Sequence, residues 1–400
     1  MTDFSPTIKN RIQSIDVLRG IVMIIMALDH IRDYIHINAM TDDPLNLATT
    51  TPALYFTRWI THFCAPVFVF LSGISIYLQS QRKTKKELST FLVKRGLWLI
   101  IVEMIIVTFG WSFNYAFNFV FLGVIWVIGL SMIILGLLIY LPFRLILALG
   151  LIILLGHNVF DFPEATAAYH HTFLKDLIHS GLFSRYPFAV NHAIVILYPF
   201  LPWTGLMMVG YCAGVWFTND ISYEQRRQHL VRTGLGMIIL FVILRWLNVY
   251  GDPHPWTVQR NGFYTFLSFI NVHKYPPSLL YILITIGPSL LFLAFIEKIK
   301  NGFTRIMAVY GRVAFFYYIL HIYLVHLIAA IFFFARGHTY AEALPFEGAF
   351  PFYFVAPGEG MSLGMVYLVW ICVILALYPL CEMWDRYKYS HRDKWWLSYL

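Results

Sequence analysis

Long apolar stretches separated by short polar segments fill most of the chain between residues 15 and 384. A helix of about 20 apolar residues is long enough to cross the hydrocarbon core of a bilayer. Inside lipid the backbone must satisfy its own hydrogen bonds, which a helix does within one segment. The pattern therefore predicts an all-α polytopic membrane protein with about ten transmembrane helices, at residues 15–37, 53–78, 96–113, 117–141, 145–160, 192–217, 231–249, 278–296, 309–334 and 361–384.

Lysine and arginine residues are concentrated in alternate loops of this prediction. The richer side carries Lys9, Arg11, Arg19, Arg82, Lys83, Lys85, Lys86, Lys94, Arg95, Arg144, Arg226, Arg227, Arg232, Lys298, Lys300, Arg305, Arg312, Arg386, Lys388, Arg392 and Lys394. The other side carries chiefly Arg58, Lys175, Arg185, Arg260, Lys274 and Arg336. Because basic loops stay in the cytoplasm, both termini are predicted to be cytoplasmic. Residues 1–14 and 385–400 then flank one transmembrane domain at 15–384.

The composition agrees with a multi-pass protein of the cell membrane. Hydrophobic residues make up 59% of the chain and charged residues only 12%, which excludes an ordinary soluble globule. The net charge of +8 lies in short loops, where it sets orientation, so no nucleic-acid partner is predicted. The four cysteines show neither disulfide nor zinc spacing.

Ionisable residues in the second half of the first span are the first functional candidates. Asp29, His30, Arg32 and Asp33 are costly in hydrocarbon and mark functional sites by default. Arg19 and His30 lie on one helical stripe, roughly 16 Å apart along the axis. Asp29 or Asp33 can hold one tautomer of His30, so these three are the predicted catalytic residues. The alternative is a satisfied ion cluster at the outer helix end, which His30 merely joins.

His62 and His321 are two further candidate histidines on predicted spans. Pro66 follows His62 by four residues, and a kink there brings His62 toward the site; a bond to a backbone carbonyl is equally compatible. His321 follows Tyr317 and Tyr318 and is either a polar ligand in the cavity or a core histidine satisfied by a tyrosine.

The longer connections lie on the predicted outer side, at residues 36–52, 161–191, 251–277 and 336–360. They are rich in Pro, Tyr, Trp and His, as expected of lids or acceptor-binding walls. For residues 263–270 an interfacial segment among lipid headgroups is equally compatible. The loop histidines show no helical ligand pair beside a carboxylate, so no metal is predicted and they are interpreted as solvated.

Four motifs together resemble a known family. They are Asp16-x-x-Arg19-Gly20, Asp29-His30, the second-span stretch from His62 through Pro66 to Ser72-Gly73, and the stretch from Gly311 to His321. In span order they resemble the heparan-alpha-glucosaminide N-acetyltransferase-like membrane proteins, particularly bacterial members, and more distantly acyltransferase family 3. The resemblance implies binding of acyl-CoA from the cytoplasm and acylation of a sugar on the far side.

The resemblance also implies a catalytic histidine. The spacing from Arg19 to His30 matches the Arg-x10-His signature of acyltransferase family 3, whose histidine is taken as the base. The heparan enzyme's histidine lies nearer the luminal loop, where this chain has Met40 and Thr41 with His36 close by. His30 is favoured over His36 as the base. His36, His62 and His321 are the predicted substrate-binding residues.

The chemistry of coenzyme A supports the same assignment. Its phosphates need cations at the cytoplasmic mouth, and its long pantetheine arm needs a narrow apolar passage ending at a base. Arg19, Lys94 and Arg95 are the predicted donor-binding residues, with acetyl-CoA or another acyl-CoA as co-substrate. For Lys94 and Arg95 the alternative is a purely orienting role.

The leading hypothesis is a membrane-embedded acyltransferase. It moves an acyl group, with acetyl favoured, from cytoplasmic acyl-CoA to a sugar hydroxyl or amine outside, and a homo-oligomer is compatible with it. The alternative is a proton-coupled transporter or glycan-lipid flippase that uses Asp29, His30 and Asp33 as a relay. No obvious internal repeat supports that alternative.

Overall fold

The computed structural model describes residues 12–39, 41–166, 168–343, 352–356, 358–391 and 393–398. Most of the predicted N-terminal segment, Met40, and parts of the loop 336–360 and of the tail after 385 lie outside the described residues. The main helices are α1 (Gln13–Ile35), α2 (Pro52–Ser80), α3 (85–112), α4 (Val124–Leu138), α5 (Phe143–Glu164), α6 (Phe200–Phe217), α7 (Tyr223–Leu247), α8 (Gly262–Ile270), α9 (Leu279–Ile296), α10 (Gly302–Arg312), α11 (Ala314–Ala335) and α12 (Leu363–Ser390).

Seven helices among the described residues are long and apolar enough to span a membrane, namely α2, α5, α6, α7, α9, α11 and α12. Helix α1 has 23 residues, but ionisable side chains interrupt its apolar face. Helix α3 carries Lys94, Arg95 and Glu103, and α4 is shorter. Each of the ten predicted stretches contains a helix, so the chain is mostly helical, as the apolar pattern predicts.

Two predicted spans begin with a strand instead of a helix, which corrects the all-α prediction. Strand β1 (Phe119–Leu122) precedes α4, and strand β3 (His192–Ile196) precedes α6. β3 pairs in parallel with β1 and antiparallel with β2 (Ser184–Ala189). A short apolar run cannot be assigned by periodicity alone, and the β-branched run Ile194 to Ile196 favours a strand. The span predicted at 309–334 is likewise divided at Val313, between α10 and α11.

Side-chain caps explain where several helices begin. At the start of α7, the Ser222 hydroxyl accepts from the Gln225 backbone N–H, and the Gln225 side chain accepts from the Ser222 N–H. The same capping box joins Thr84 and Glu87 at the start of α3. Such pairs satisfy backbone donors that the first helical turn leaves unpaired.

Two glycines of the sequence motifs hold α1 against α10. A Cβ atom on Gly20 would lie 1.8 Å from the Met307 carbonyl oxygen, and one on Gly311 would lie 1.9 Å from the Asp16 carbonyl oxygen. Only glycine permits this approach, as at close helix contacts in other membrane proteins. The contact places the Arg19 guanidinium 3.3 Å from the Gly311 carbonyl oxygen.

Two buried charges that have no evident partner in the sequence are satisfied by helix ends. The Glu103 carboxylate accepts from the backbone N–H groups of Ile125 (2.9 Å) and Trp126 (3.2 Å) at the start of α4. The Arg245 guanidinium donates to the carbonyl groups of Ser268 and Phe269 at the end of α8. Each charge has the sign that complements the helix dipole it meets.

The glycine contact makes a stability prediction. Gly20→Ala should lower the free energy of unfolding by about 1–3 kcal/mol, because backbone must move to admit the methyl group. Gly236→Ala in α7 is the matched control, since a Cβ atom at this position would have no neighbouring atom within 4 Å among the described residues. Thermal unfolding in detergent measures both variants, and equal midpoints would contradict the packing role of Gly20.

Candidate active site

Two cavities run into the helix bundle and meet beside His30. One has a volume of about 530 Å³ and the other of about 690 Å³. Both lie within the usual size range of ligand sites. The residues that line both cavities, and so form their meeting point, are Asp29, His30, Val124, Tyr198, Lys274 and Tyr318.

The smaller cavity opens at what we call the basic end, the end where Arg19, Arg95, Arg312 and Lys388 line it. Arg19 also donates to the Ser75 hydroxyl at 3.2 Å. Further in, the wall is mainly apolar and includes Met23, Met26, Phe68, Ile76 and Leu99. This cavity therefore combines a cationic mouth with an apolar passage that ends at an imidazole.

The larger cavity opens at the other end, which we call the loop end because connecting segments line it. Segments 41–45, 182–183 and 271–275 contribute to its wall, with Phe352 from a further loop. Aromatic side chains such as Trp111, Phe183 and Tyr275 alternate with polar ones. The predicted outer loops therefore do form walls of a cavity that reaches His30.

A chain of hydrogen bonds fixes the tautomer of His30. Nδ1 of His321 lies 2.9 Å from the Tyr317 carbonyl oxygen, which can only accept, so this nitrogen carries the proton. In neutral His321, Nε2 is then an acceptor, and it lies 2.8 Å from Nδ1 of His30. His30 donates from Nδ1, and its Nε2 is left with the lone pair that a base requires.

The carboxylates beside His30 do not hold it. The Asp29 carboxylate lies 2.5 Å from the Arg58 guanidinium and 2.9 Å from that of Arg32, and Asp33 also pairs with Arg32. The orienting partner of His30 is His321, because the two guanidinium groups occupy the carboxylates. The outer ion cluster considered from the sequence exists, but His30 is not part of it; catalytic roles for Asp29 and Asp33 stay predictions.

Some of the other predicted site residues line a cavity, and some do not. Arg19 and Arg95 line the basic-end cavity, whereas Lys94 is exposed and lines neither cavity. His62 lines the loop-end cavity, and its two buried ring nitrogens have no hydrogen-bond partner among the described residues. His321 is fully buried behind His30. His36 lies apart from both cavities, where it forms a backbone bridge with Met361.

Lys274 is the main site residue that sequence reasoning missed. From the sequence it is named only as a basic residue of a predicted outer loop. The structure places it at the meeting point of the cavities. Burial raises the pKa of the neighbouring Tyr275 phenol, but the charges of Lys274 and Arg58 outweigh burial and bring this pKa below its usual value. No spacing could reveal this placement, because more than 240 residues separate Lys274 from His30.

Comparison with known proteins agrees with this geometry. Residues 11–249 match the family described as heparan-alpha-glucosaminide N-acetyltransferase, catalytic. The chain belongs to this family. No curated protein matches it. Membership in the heparan-alpha-glucosaminide N-acetyltransferase family, with the apolar helices, indicates a membrane protein of acetyltransferase type. The match includes Arg19 and His30 but ends before Lys274, Tyr318 and His321, which complete the meeting point.

A second polar cluster lies away from the cavities of this acetyltransferase-family chain. Asp161, Glu164 and His179 offer ligand atoms within 4.8 Å of one another, although the sequence spacings predicted no metal site. The His179 Nδ1 atom lies 2.9 Å from a Glu164 oxygen, and Nδ1 of His157 lies 3.0 Å from Nε2 of His179. These hydrogen bonds join the members of the group, whereas the buried Nε2 atom of His157 has no partner among the described residues.

The ion cluster yields a second stability prediction. Arg58→Met should destabilise the protein by about 3–5 kcal/mol, because it leaves the buried Asp29 carboxylate with one partner fewer. Adding Asp29→Asn should recover part of this loss. Arg305→Met, at an exposed arginine of α10, is the control, and thermal unfolding is the measurement. A midpoint for Arg58→Met equal to that of the control would contradict the role of the pair.

Proposed function

We propose that the protein transfers an acyl group, with acetyl favoured, from acyl-CoA at the basic end to a sugar hydroxyl or amine at the loop end. The observation that carries this proposal is the meeting of two separately opening cavities at His30. Family membership supports the acetyltransferase class. The proposal goes further than family membership by naming acyl-CoA as the donor, a sugar as the acceptor, and opposite sides of the membrane for the two substrates.

The basic-end cavity suits coenzyme A. Guanidinium groups bind phosphate through charge-assisted hydrogen bonds, and Arg19, Arg95 and Arg312 line the mouth. Arg312 pairs with Asp385 at 2.7 Å and Arg19 pairs with Asp16 at 3.4 Å, but a guanidinium group has five N–H donors and can also bind a phosphate. The axial distance of roughly 16 Å from Arg19 to His30 is comparable to an extended pantetheine arm.

His30 serves as the general base in this proposal. Its Nε2 atom takes the proton from the acceptor hydroxyl or amine as the acceptor oxygen or nitrogen bonds to the thioester carbon. The carbon–sulfur bond then breaks, and the leaving thiolate takes that proton from the imidazolium, which gives free coenzyme A and the acylated acceptor. The hydrogen bond to His321 keeps the ring oriented while its charge changes.

The loop-end cavity suits a sugar. The unpartnered nitrogens of the buried His62 ring require a polar ligand or water, because an unpaired buried polar group is costly. Aromatic rings that line the same cavity, including Trp111 and Tyr275, offer apolar faces for a sugar ring. His62 therefore keeps its predicted substrate-binding role within this proposal.

Orientation completes the proposal. The positive-inside rule assigns the basic end to the cytoplasm, where acyl-CoA is available, so the acyl group crosses the membrane and the carrier does not. A transporter must expose its site to one side at a time. Here the same residues line both cavities in one conformation, which favours transfer over the transporter or flippase alternative.

Oriented proteoliposomes test the function. With acetyl-CoA confined to the compartment that faces the basic end, an amino or neutral sugar in the other compartment should become acetylated, and coenzyme A should appear only on the donor side. His30→Ala should bind the donor and transfer nothing. Product that forms only when both substrates share the donor compartment would refute transmembrane transfer, and full turnover by His30→Ala would refute the assigned base.

Neighbouring cations on α3 provide a matched test of donor binding. Arg95→Ala should weaken acetyl-CoA binding by about 1.5–3 kcal/mol if one charged hydrogen bond to phosphate is lost. Lys94→Ala removes an equal charge from the adjacent position, which is exposed outside the cavity, and should change affinity little. Equilibrium binding in detergent measures both; equal losses would assign the effect to general surface charge.

A further inference from the structure

Lys274 is held firmly at the meeting point of the cavities. It belongs to the segment between α8 and α9, where its backbone bridges to Pro277. The preceding His273 backbone N–H donates to Asp252 at 2.8 Å, and Arg245 donates to the Asn271 carbonyl oxygen at 2.5 Å. The segment is therefore tied to α7 and to Asp252 in the loop that follows α7, which limits the positions that the Lys274 side chain can reach.

Lys274 differs from the two nearby arginines, because no salt bridge to a carboxylate balances its charge among the described residues. The carboxylates of Asp29 and Asp33 lie in the same cavity as Arg32, Arg58 and Lys274, and both carboxylates pair with one or both of the arginines. Among the described residues, no carboxylate lies within salt-bridge distance of the Lys274 ammonium group, which contacts the Tyr275 phenol. Its charge nevertheless acts electrostatically on Asp29 and His30.

Other donors near His30 are less suited to meet a developing negative charge. Arg32 and Arg58 line only the loop-end cavity, whereas Lys274 lines both. Val124, at the start of α4, also lines both cavities, but the backbone N–H groups of Ile125 and Trp126 next to it already donate to the Glu103 carboxylate. The remaining donors at the meeting point are the neutral hydroxyls of Tyr198 and Tyr318.

We propose that Lys274 is a further catalytic residue, whose ammonium group binds the oxyanion formed on the acyl group during transfer. The inference rests on the proposed function. As the acceptor bonds to the thioester carbon and His30 takes its proton, the carbonyl electron pair moves to oxygen. A Lys274 N–H stabilises this oxygen, and the pair returns when the carbon–sulfur bond breaks and the thiolate leaves. A fixed cation of this kind binds the transition state more strongly than the ground state.

The first arm of the test separates catalysis from binding. Lys274→Met should lower kcat by about 10²–10³-fold, the usual cost of losing one oxyanion donor. The dissociation constant for acetyl-CoA and the unfolding midpoint should stay close to those of the wild type. Lys274→Arg should recover part of kcat. Unchanged kcat in Lys274→Met, or a loss explained by donor binding or unfolding, would overturn the inference.

Two comparison variants sharpen the result. Tyr318→Phe removes a neutral donor from the same point and should lower kcat less than Lys274→Met, because a charged donor stabilises an anion more. Lys175→Met, at an exposed lysine of an outer loop, should leave kcat unchanged. A larger loss in Tyr318→Phe than in Lys274→Met would assign the oxyanion to the tyrosine and overturn the inference.

Turnover by the wild type separates failure of the proposed function from failure of the role of Lys274. If the wild type transfers acetyl groups and Lys274→Met keeps kcat, only the role of Lys274 fails. If the wild type transfers none with any sugar supplied, while it still binds acetyl-CoA, the proposed function fails and the role of Lys274 fails with it. A kcat loss that is larger in Lys274→Met than in Tyr318→Phe and absent in Lys175→Met, with donor binding retained, supports both.

Discussion

The hydrogen bond between His30 and His321 is the interaction on which the candidate site depends. A backbone carbonyl at Tyr317 sets the proton on one ring, that ring sets the proton on the next, and the outcome is an unprotonated nitrogen at the meeting point of two cavities. The arrangement requires α1 and α11 to keep their register. The glycine contact between α1 and α10 supports that register, since α10 leads directly into α11 through Val313.

Much of this could be predicted from the sequence, and the limits have physical causes. Apolar length predicts the helices, the cost of burying charge points to His30, and the shared helical stripe adds Arg19; both residues line a cavity. Periodicity could not separate a short apolar strand from a helix, so β1 and β3 were assigned to spans. The partner of His30 was misassigned because local spacing favours Asp29 and Asp33, whereas the actual partner lies 291 residues away. Lys274 is not predicted as a site residue either, because it too lies far from His30 along the chain.

The buried charges show how a membrane protein can retain ionisable groups without assigning chemistry to all of them. Glu103 meets the start of α4, and Arg245 meets carbonyls at the end of α8 and lies 3.7 Å from the Asp252 carboxylate, so each ionisable group has partners within the fold. Asp29 is balanced by two guanidinium groups. The ring of His62 differs from these groups, because both of its buried nitrogens lack a hydrogen-bond partner among the described residues and it lines the loop-end cavity, where a ligand or water can supply one.

The pairing of Asp29 and Asp33 with arginines explains why a neutral histidine, rather than a carboxylate, orients His30, the proposed base. A carboxylate beside His30 would add a negative charge to a poorly solvated site and attract Arg32 and Arg58, which already pair with the carboxylates present. A chain of imidazole, imidazole and carbonyl carries no net charge at rest, so its burial costs less than that of an ion. In the proposed transfer, a protonated His30 and an anionic acyl oxygen form together. The imidazolium can share its proton with His321, whereas the oxygen has to be stabilised by a fixed cation nearby.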